Sequence, residues 1–194
     1  MAYVVPVVLL LAALTLGGFA VSLYNRLVFL KNQCEKSWFN IDVILKQRHD
    51  ELPKLISVCE GSMKFERDTL EAVIRARQTA VAAGSVGDRA RAEGELSGAL
   101  GKLFAVAEQY PELKTVQLFA QISSRVSGLE GEIADRREFY NDAVMNFNVA
   151  IESFPSNFVA SFAGLRQREL FRVAEGDKAD VAIKFSFPGG APPA

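Results

Sequence analysis

The sequence predicts an all-α protein in which one N-terminal transmembrane helix is followed by an antiparallel four-helix bundle with long helices. Two observations support this fold class. The first 25 residues carry no charged side chain, and beyond them apolar residues recur at three- and four-residue steps, the period of one helix face. Successive apolar stripes joined by short loops are typical of a helical bundle. The expected organisation is a membrane anchor over residues 1–25, a bundle over 26–155 and a tail over 156–194.

The N-terminal apolar segment is long enough to cross a bilayer. A helix over residues 3–24, rising about 1.5 Å per residue, just spans a hydrocarbon core of about 30 Å. A cleaved signal peptide is the alternative, but no Lys or Arg precedes the apolar run, so an uncleaved anchor is expected. Arg26, Lys31 and Lys36 follow the span, whereas only the α-amino group precedes it. The positive-inside rule therefore places the large domain in the cytoplasm.

The next two stripes surround a proline. The first continues the anchor, with no Gly or Pro between residues 23 and 52, and contains Leu27, Leu30, Cys34, Trp38, Ile41 and Leu45. Pro53 then either begins a new helix or kinks a long one. Beyond it the stripe contains Leu55, Ile56, Cys59, Met63, Leu70, Val73, Ile74 and Val81. Two glycines within residues 83–87 predict a loop.

Two further stripes complete the bundle. Asp88 is the candidate N-cap of a helix whose stripe contains Ala92, Leu96, Leu100, Leu103, Phe104 and Ala107. The last long helix is expected over residues 112–153, ended by Pro155, and its outer face carries Arg125, Glu132, Asp135 and Glu138. From all stripes, the residues expected to be buried are Trp38, Leu45, Ile56, Leu70, Leu100, Phe119, Leu129 and Phe147.

The tail has a weaker helical pattern. It contains Phe158, Phe162, Leu165 and Phe171, but the stretch is short and Gly164 weakens it. The tail is therefore expected either to fold back onto the bundle or to lie on the membrane surface. Residues 181–187 alternate as a strand could, and the Pro- and Gly-rich residues 188–194 are expected to be disordered.

No group of polar residues predicts a reactive site. The net charge of −1 gives no reason to expect nucleic-acid binding. Cys34 and Cys59 are too few for a disulfide framework or a zinc site, and on apolar helix faces they are expected as buried thiols rather than as a thiol active site with His49. A ferritin-like dimetal centre needs two histidines, and this chain has one. We therefore predict no catalytic residue, no cofactor and no metal.

His49 leaves one alternative open. It is followed by Asp50 and Glu51, in faint similarity to the phosphoacceptor segment of sensor kinases, although no glycine-rich phosphate loop accompanies it. A phosphotransfer bundle is thus the alternative to a surface or bundle-end histidine held by a neighbouring carboxylate. The basic cluster at residues 46–48 is expected to lie on a solvated face or to pair with Asp50 and Glu51.

Six segments occur in an order typical of a known family. They are YNRLV (24–28), SWFNIDV (37–43), KQRHDELPKL (46–55), EQYPELK (108–114), REFYNDAV (137–144) and FNVAIESFP (147–155). On these segments, which extend over most of residues 24–172, the chain resembles the LemA family of bacterial membrane proteins. It departs from the family pattern at Lys54, where Asn is frequent, which changes a surface charge only.

The resemblance implies an N-terminal anchor, a four-helix bundle, no established enzymatic activity and no catalytic residues to transfer. A magnetosome protein of the family is implicated in forming a membrane organelle, so analogy suggests a scaffold. We expect a single-pass protein of the bacterial inner membrane, N-terminus outside, acting as a non-enzymatic scaffold or adaptor that presents its cytoplasmic bundle to unknown protein partners. A homo-oligomer is possible. Phosphotransfer through His49 and an enzyme of unknown chemistry are the alternatives.

Overall fold

The computed structural model describes residues 3–62 and 67–172, and within these ranges every regular element is a helix. The helices are α1 (Val4–Ser62), α2 (Arg67–Ala82), α3 (Val86–Ala107), α4 (Pro111–Thr115), α5 (Gln117–Glu152) and α6 (Ser156–Phe162). The all-α fold class is confirmed. The expectations for Met63, for residues 181–187 and for residues 188–194 fall outside the described residues.

Helix α1 joins the apolar N-terminal segment to the bundle in one run of 59 residues. It is long and apolar enough to cross a membrane, and its most apolar stretch is not buried by the rest of the chain. From Leu27 onward one face of the same helix is buried. The predicted continuity between the anchor and the first bundle stripe is therefore confirmed.

Pro53 lies inside α1, so it neither begins nor ends a helix. A helical proline has no N–H for the carbonyl four residues earlier, which here belongs to His49. Arg77 of α2 supplies the missing donor, because its Nε lies 2.9 Å from the carbonyl oxygen of His49. A side chain from a neighbouring helix thus replaces the hydrogen bond that Pro53 cannot make.

Helices α1 and α5 form an antiparallel pair with a constant register. Four contacts define it: Cys34 with Ala143, Trp38 with Tyr140, Arg48 with Glu130, and Glu51 with Arg125. The residue numbers of each pair add up to between 176 and 178. By this register Ile151, near the end of α5, lies level with about residue 26, where the apolar segment ends.

Helices α2 and α3 form a second pair, and α3 begins at a serine cap. The Asp88 N–H donates to Ser85 Oγ at 3.0 Å, and the Ser85 hydroxyl donates to the Asp88 carboxylate at 2.7 Å. The prediction that Asp88 is the N-cap is wrong. Ser85 has the extended backbone of a cap, while Asp88 lies in the first turn, where a negative charge is favourable.

The predicted stripes form two apolar clusters. The span-proximal cluster includes Leu27, Cys34, Ile41, Ala90, Leu129, Tyr140, Phe147, Ala160 and Phe171. The span-distal cluster includes Leu52, Cys59, Leu70, Val73, Leu96, Leu100, Phe119 and Val126. Seven of the eight expected core residues are buried, whereas Trp38 is half-buried. The expectation that Val81 lies on the buried stripe is wrong, because this residue is 55% exposed.

The helix expected over residues 112–153 is divided at Val116. This residue has extended backbone, with φ −72° and ψ 106°, and it caps both the end of α4 and the start of α5. Leu113 and Phe119 are nevertheless both buried in the bundle. The apolar stripe therefore continues across the break, which is why the sequence pattern does not reveal it.

Residues 165–172 return along α5, and we call this segment the strap. Asn148 exchanges two hydrogen bonds with the backbone of Arg168, both at 2.9 Å. One heptad earlier, Asn141 does the same with Phe171, at 2.8 and 3.2 Å. The Tyr140 hydroxyl donates to the carbonyl of Glu169 at 3.0 Å. This part of the tail folds back onto the bundle, as one of the two sequence-based alternatives predicts.

The contact between Arg77 and His49 can be tested by a double-mutant cycle. Arg77→Met should lower the free energy of unfolding by about 1–3 kcal/mol, because it leaves the His49 carbonyl without a donor. In a Pro53→Ala background the same change should cost clearly less, since the substituted alanine provides its own backbone N–H. Urea unfolding of the full chain in mild detergent, followed by the fluorescence of the single tryptophan, measures both. Equal costs in the two backgrounds would contradict this account.

Candidate functional site

Arg48 is a fully buried charged residue of the bundle. Its guanidinium donates hydrogen bonds to the carboxylates of Glu93 on α3 and Glu130 on α5. It also donates to Ser97 Oγ at 2.9 Å, and Ser97 in turn donates to the second oxygen of Glu130 at 2.8 Å. Together with His49, these residues form what we call the Arg48 network, which connects three helices.

The Arg48 network separates the two apolar clusters. Along α1, Arg48 lies between Leu45 of the span-proximal cluster and Leu52 of the span-distal cluster. Along α3, Glu93 lies between Ala90 and Leu96, which belong to the same two clusters. A buried guanidinium costs several kcal/mol unless its charge is matched and its donors are satisfied. The two Nη atoms are satisfied in this way by groups on α3 and α5, whereas Nε is buried without a hydrogen-bond partner among the described residues. Helices α3 and α5 must therefore present their acceptors at this level.

His49 extends the network toward the surface. Its Nε2 lies 3.1 Å from one carboxylate oxygen of Glu93 and 3.3 Å from the other, and its side chain is 12% exposed. His49 is held by a carboxylate, as expected, but the expectation of a surface or bundle-end histidine is wrong, because the side chain is mostly buried between the two clusters. The carboxylate comes from α3 rather than from the adjacent sequence. Glu51 pairs instead with Lys54 and Arg125. A phosphoacceptor needs a reachable imidazole, and this one is mostly buried and engaged.

Glu93 remains a carboxylate because its partners outweigh its burial. Burial disfavours the charged form, but the hydrogen bonds and charges of His49 and Arg48 together hold the pKa of the Glu93 carboxyl below its usual range. Burial lowers the pKa of Arg137, and the charge of Glu130 opposes that shift. The Arg137 guanidinium lies 5.5 Å from the ring centre of Phe171. It therefore connects the surroundings of the network to the strap.

The two cysteines are buried free thiols, as the sequence predicts. Burial raises the pKa of the Cys59 thiol to about 11, and burial also raises the pKa of Cys34. Both groups are thus neutral near pH 7, and a neutral thiol is a poor nucleophile. Cys34 lies in the span-proximal cluster and Cys59 in the span-distal one, with His49 between those levels. The structure does not bring the three together.

In the part of the chain that the structure describes, no three His, Cys, Asp or Glu side chains converge so that they could hold a metal ion. The absence of catalytic, cofactor-binding and metal-binding residues stays a prediction. An open groove of about 430 Å³ lies on the surface between α1 and α5, and its lining includes Lys36, Asn40, Arg136 and Phe139.

Sequence reasoning missed the Arg48 network. The expectation that Arg48 lies on a solvated face or pairs with Asp50 and Glu51 is wrong, because its partners are on other helices. The spacing of the apolar stripes already places both charges on buried faces. Arg48 follows Leu45 by three residues, and Glu130 follows Val126 by four, so each occupies a stripe position. Opposite charges at stripe positions of different helices predict a buried pair.

The fold and the network define a class of protein, a helical bundle carried on one candidate membrane-spanning helix and joined internally by buried charges. The family model of the LemA family matches residues 37–185 of this chain. The chain belongs to the LemA family.

Three relatives illustrate this similarity. Protein LemA of Metamycoplasma hominis is 29% identical over 173 residues, which cover 87% of this chain and 78% of that protein. Magnetosome protein MamQ of Magnetospirillum gryphiswaldense is 25% identical over 197 residues, covering 86% of this chain and 72% of that protein. Magnetosome protein MamQ 2 of Paramagnetospirillum magneticum is 37% identical over 81 residues, which are 42% of this chain but only 30% of that relative.

Removal of the central guanidinium should be costly. Arg48→Met should lower the free energy of unfolding by about 3–5 kcal/mol at pH 7, because it leaves the buried Glu93 with His49 as its remaining partner and removes the guanidinium from Glu130. The combined variant Arg48→Met, Glu93→Leu, Glu130→Leu should regain much of that loss, since no charge is then left unmatched. Lys46→Met, at an exposed position of the same helix, is the control. Urea titration of the full chain in detergent measures all three, and a loss no larger than the control's would refute the role of Arg48.

The lowered pKa of Glu93 predicts how stability depends on pH. A carboxyl whose pKa is lower in the folded state stabilises the fold fully above its unfolded pKa, near 4.5, and loses that contribution as pH falls below it. The difference in unfolding free energy between the wild type and Glu93→Gln should therefore narrow as the pH falls from about 5 toward 3, through the unfolded pKa. The exposed Glu95→Gln is the matched control on α3. A difference that stays constant down to pH 3 would contradict the assignment.

Proposed function

We propose that this protein is a membrane-tethered, non-enzymatic scaffold that presents its helical bundle to protein partners. The observation that carries the proposal is the continuity of α1, which runs from the apolar segment into the bundle core within one helix. Between residues 23 and 52 it contains neither Gly nor Pro. Such a joint gives the bundle a defined position at the membrane, which a scaffold needs and a freely diffusing enzyme does not.

The charge distribution supports a cytoplasmic bundle. Arg26, Lys31 and Lys36 follow the apolar segment, and no basic side chain precedes it. By the positive-inside rule the N-terminus lies outside and the bundle lies in the cytoplasm. In a bacterium this places the protein in the inner membrane as a single-pass protein.

The comparisons and the surface support a protein partner. Two relatives are named as magnetosome proteins and not after a reaction, which supports a non-enzymatic role. Phe39 and Phe139 lie at the same level of the α1–α5 pair and are 67% and 61% exposed. Contiguous exposed apolar patches mark contact sites, and we infer that these two rings belong to one such patch beside the groove that Phe139 lines. His49, held by Glu93, provides no observation in favour of phosphotransfer.

Site-specific photocrosslinking in cells tests the scaffold directly. A photoreactive phenylalanine at Phe139 of the full chain should yield discrete adducts with a protein, whereas the same probe at Val81, exposed on α2, should yield fewer. The tether confines the bundle and raises its effective concentration near partners. Adducts from position 139 should therefore persist when an unrelated membrane anchor replaces residues 1–25 and decline sharply when those residues are deleted.

Two outcomes would overturn the proposal. Equal adduct yields with and without an anchor would show that tethering is not part of the mechanism. An absence of protein adducts from position 139 would remove the proposed contact surface. A reporter that is active only in the cytoplasm, fused after Ala194, checks the orientation in the same cells.

A further inference from the structure

Helix α6 and the short segment before it expose three phenylalanines on the outside of the bundle, Phe158 and Phe162 in the helix and Phe154 two residues before it. Phe154, Phe158 and Phe162 are 81%, 67% and 97% exposed, and they follow one another at four-residue intervals. The rings of Phe154 and Phe158 meet edge to face, with centroids 6.0 Å apart. On the opposite side of α6, Ala160 is buried. A surface helix of a soluble bundle buries its large apolar residues. In α6 the large apolar residues are instead exposed, and the small Ala160 is buried.

The position of α6 indicates what covers these rings. Helix α5 ends at Glu152, which by the α1–α5 register lies level with about residue 25. Ala160 belongs to the span-proximal cluster together with Leu27, so α6 packs against α1 and α5 at that end of the bundle. Arg26 is the first charged residue of the chain and marks the end of the apolar segment. A bilayer surrounding that segment begins at the level of α6.

The charges around α6 match a lipid surface. Residues 153–168 contain no Asp or Glu, and their two charged residues are Arg166 and Arg168. Glu35 of α1 pairs with both Arg168 and Lys31, at 2.7 and 4.0 Å, so one carboxylate is shared between two cations. Arg26 and Lys31 lie on α1 near the same level. Basic residues beside exposed aromatic rings are the composition of helices that lie in the headgroup region of a membrane.

We propose that Phe154, Phe158 and Phe162 insert into the membrane leaflet that adjoins the bundle, so that α6 is a second membrane contact beside the span. The occupant is lipid rather than a protein because α6 is packed onto the helix that carries the span, at the level where that span ends. This inference rests on the proposed membrane tether. Beyond the tether, the inference is that the span-proximal end of the bundle contacts the bilayer surface.

Depth-dependent fluorescence quenching tests the inference with the full chain in phosphatidylcholine–phosphatidylglycerol vesicles. An environment-sensitive fluorophore is attached to one added cysteine at a time, at Leu11 in the span, Ser161 in α6 or Ser124 at an exposed position of α5. Cys34 and Cys59 stay in place, because both are buried. The same three labels are compared in the wild type and in F154S/F158S/F162S, which alters only exposed side chains. Circular dichroism confirms that the helical content is unchanged.

Lipids with a nitroxide near the headgroup should quench most of the fluorescence of the Ser161 label in the wild type and little of it in the triple serine variant. The Ser124 label should be unaffected in both chains, and lipids with a deeper nitroxide should quench the Leu11 label in both. Quenching at Leu11 without quenching at Ser161 would overturn the inference but leave the tether intact. Undiminished quenching at Ser161 in the triple variant would also overturn it. No quenching at Leu11 would refute the tether itself and the proposed function with it.

Discussion

The burial of one guanidinium is the constraint on which the arrangement of this bundle depends. Backbone contacts are concentrated within the α1–α5 pair and the α2–α3 pair, so the relative position of the two pairs rests largely on side chains. Apolar stripes tolerate displacement by a helical turn, because one leucine replaces another at little cost. Arg48 does not tolerate such a displacement, because it would separate the guanidinium from Glu93 or Glu130 and leave charges unmatched.

The sequence predicts the parts of the fold that depend on local periodicity. The stripes of α1, α3 and α5 identify most of the core, because an apolar residue at three- and four-residue steps faces the same side whatever its partner is. Val81 of α2 departs from this pattern, because the buried position in that turn belongs to Ala80, seven residues after Val73, and Val81 faces away from the core. The buried state of Cys34 and Cys59 follows from the same periodicity.

Features that depend on distant partners could not be predicted in this way. The bond from Arg77 to the His49 carbonyl joins residues 28 positions apart, and nothing local in either segment requires it. Asn141 and Asn148 look like ordinary polar residues on the outer face of α5 until the strap lies across them. The Arg48 network could be predicted only in part. Its charges occupy stripe positions, but their pairing depends on how three helices pack.

The unbroken course of α1 joins the candidate membrane span and the first helix of the bundle into one rigid rod. Residues 26–52 extend about 39 Å at the usual helical rise, and neither Gly nor Pro interrupts them. An inclination of about 20° from the bilayer normal, the average for membrane helices, displaces the far end of that segment sideways by about 13 Å. Since neither Gly nor Pro interrupts this segment, the tilt of the candidate span in a bilayer would also set the direction in which the distal surface of the bundle points.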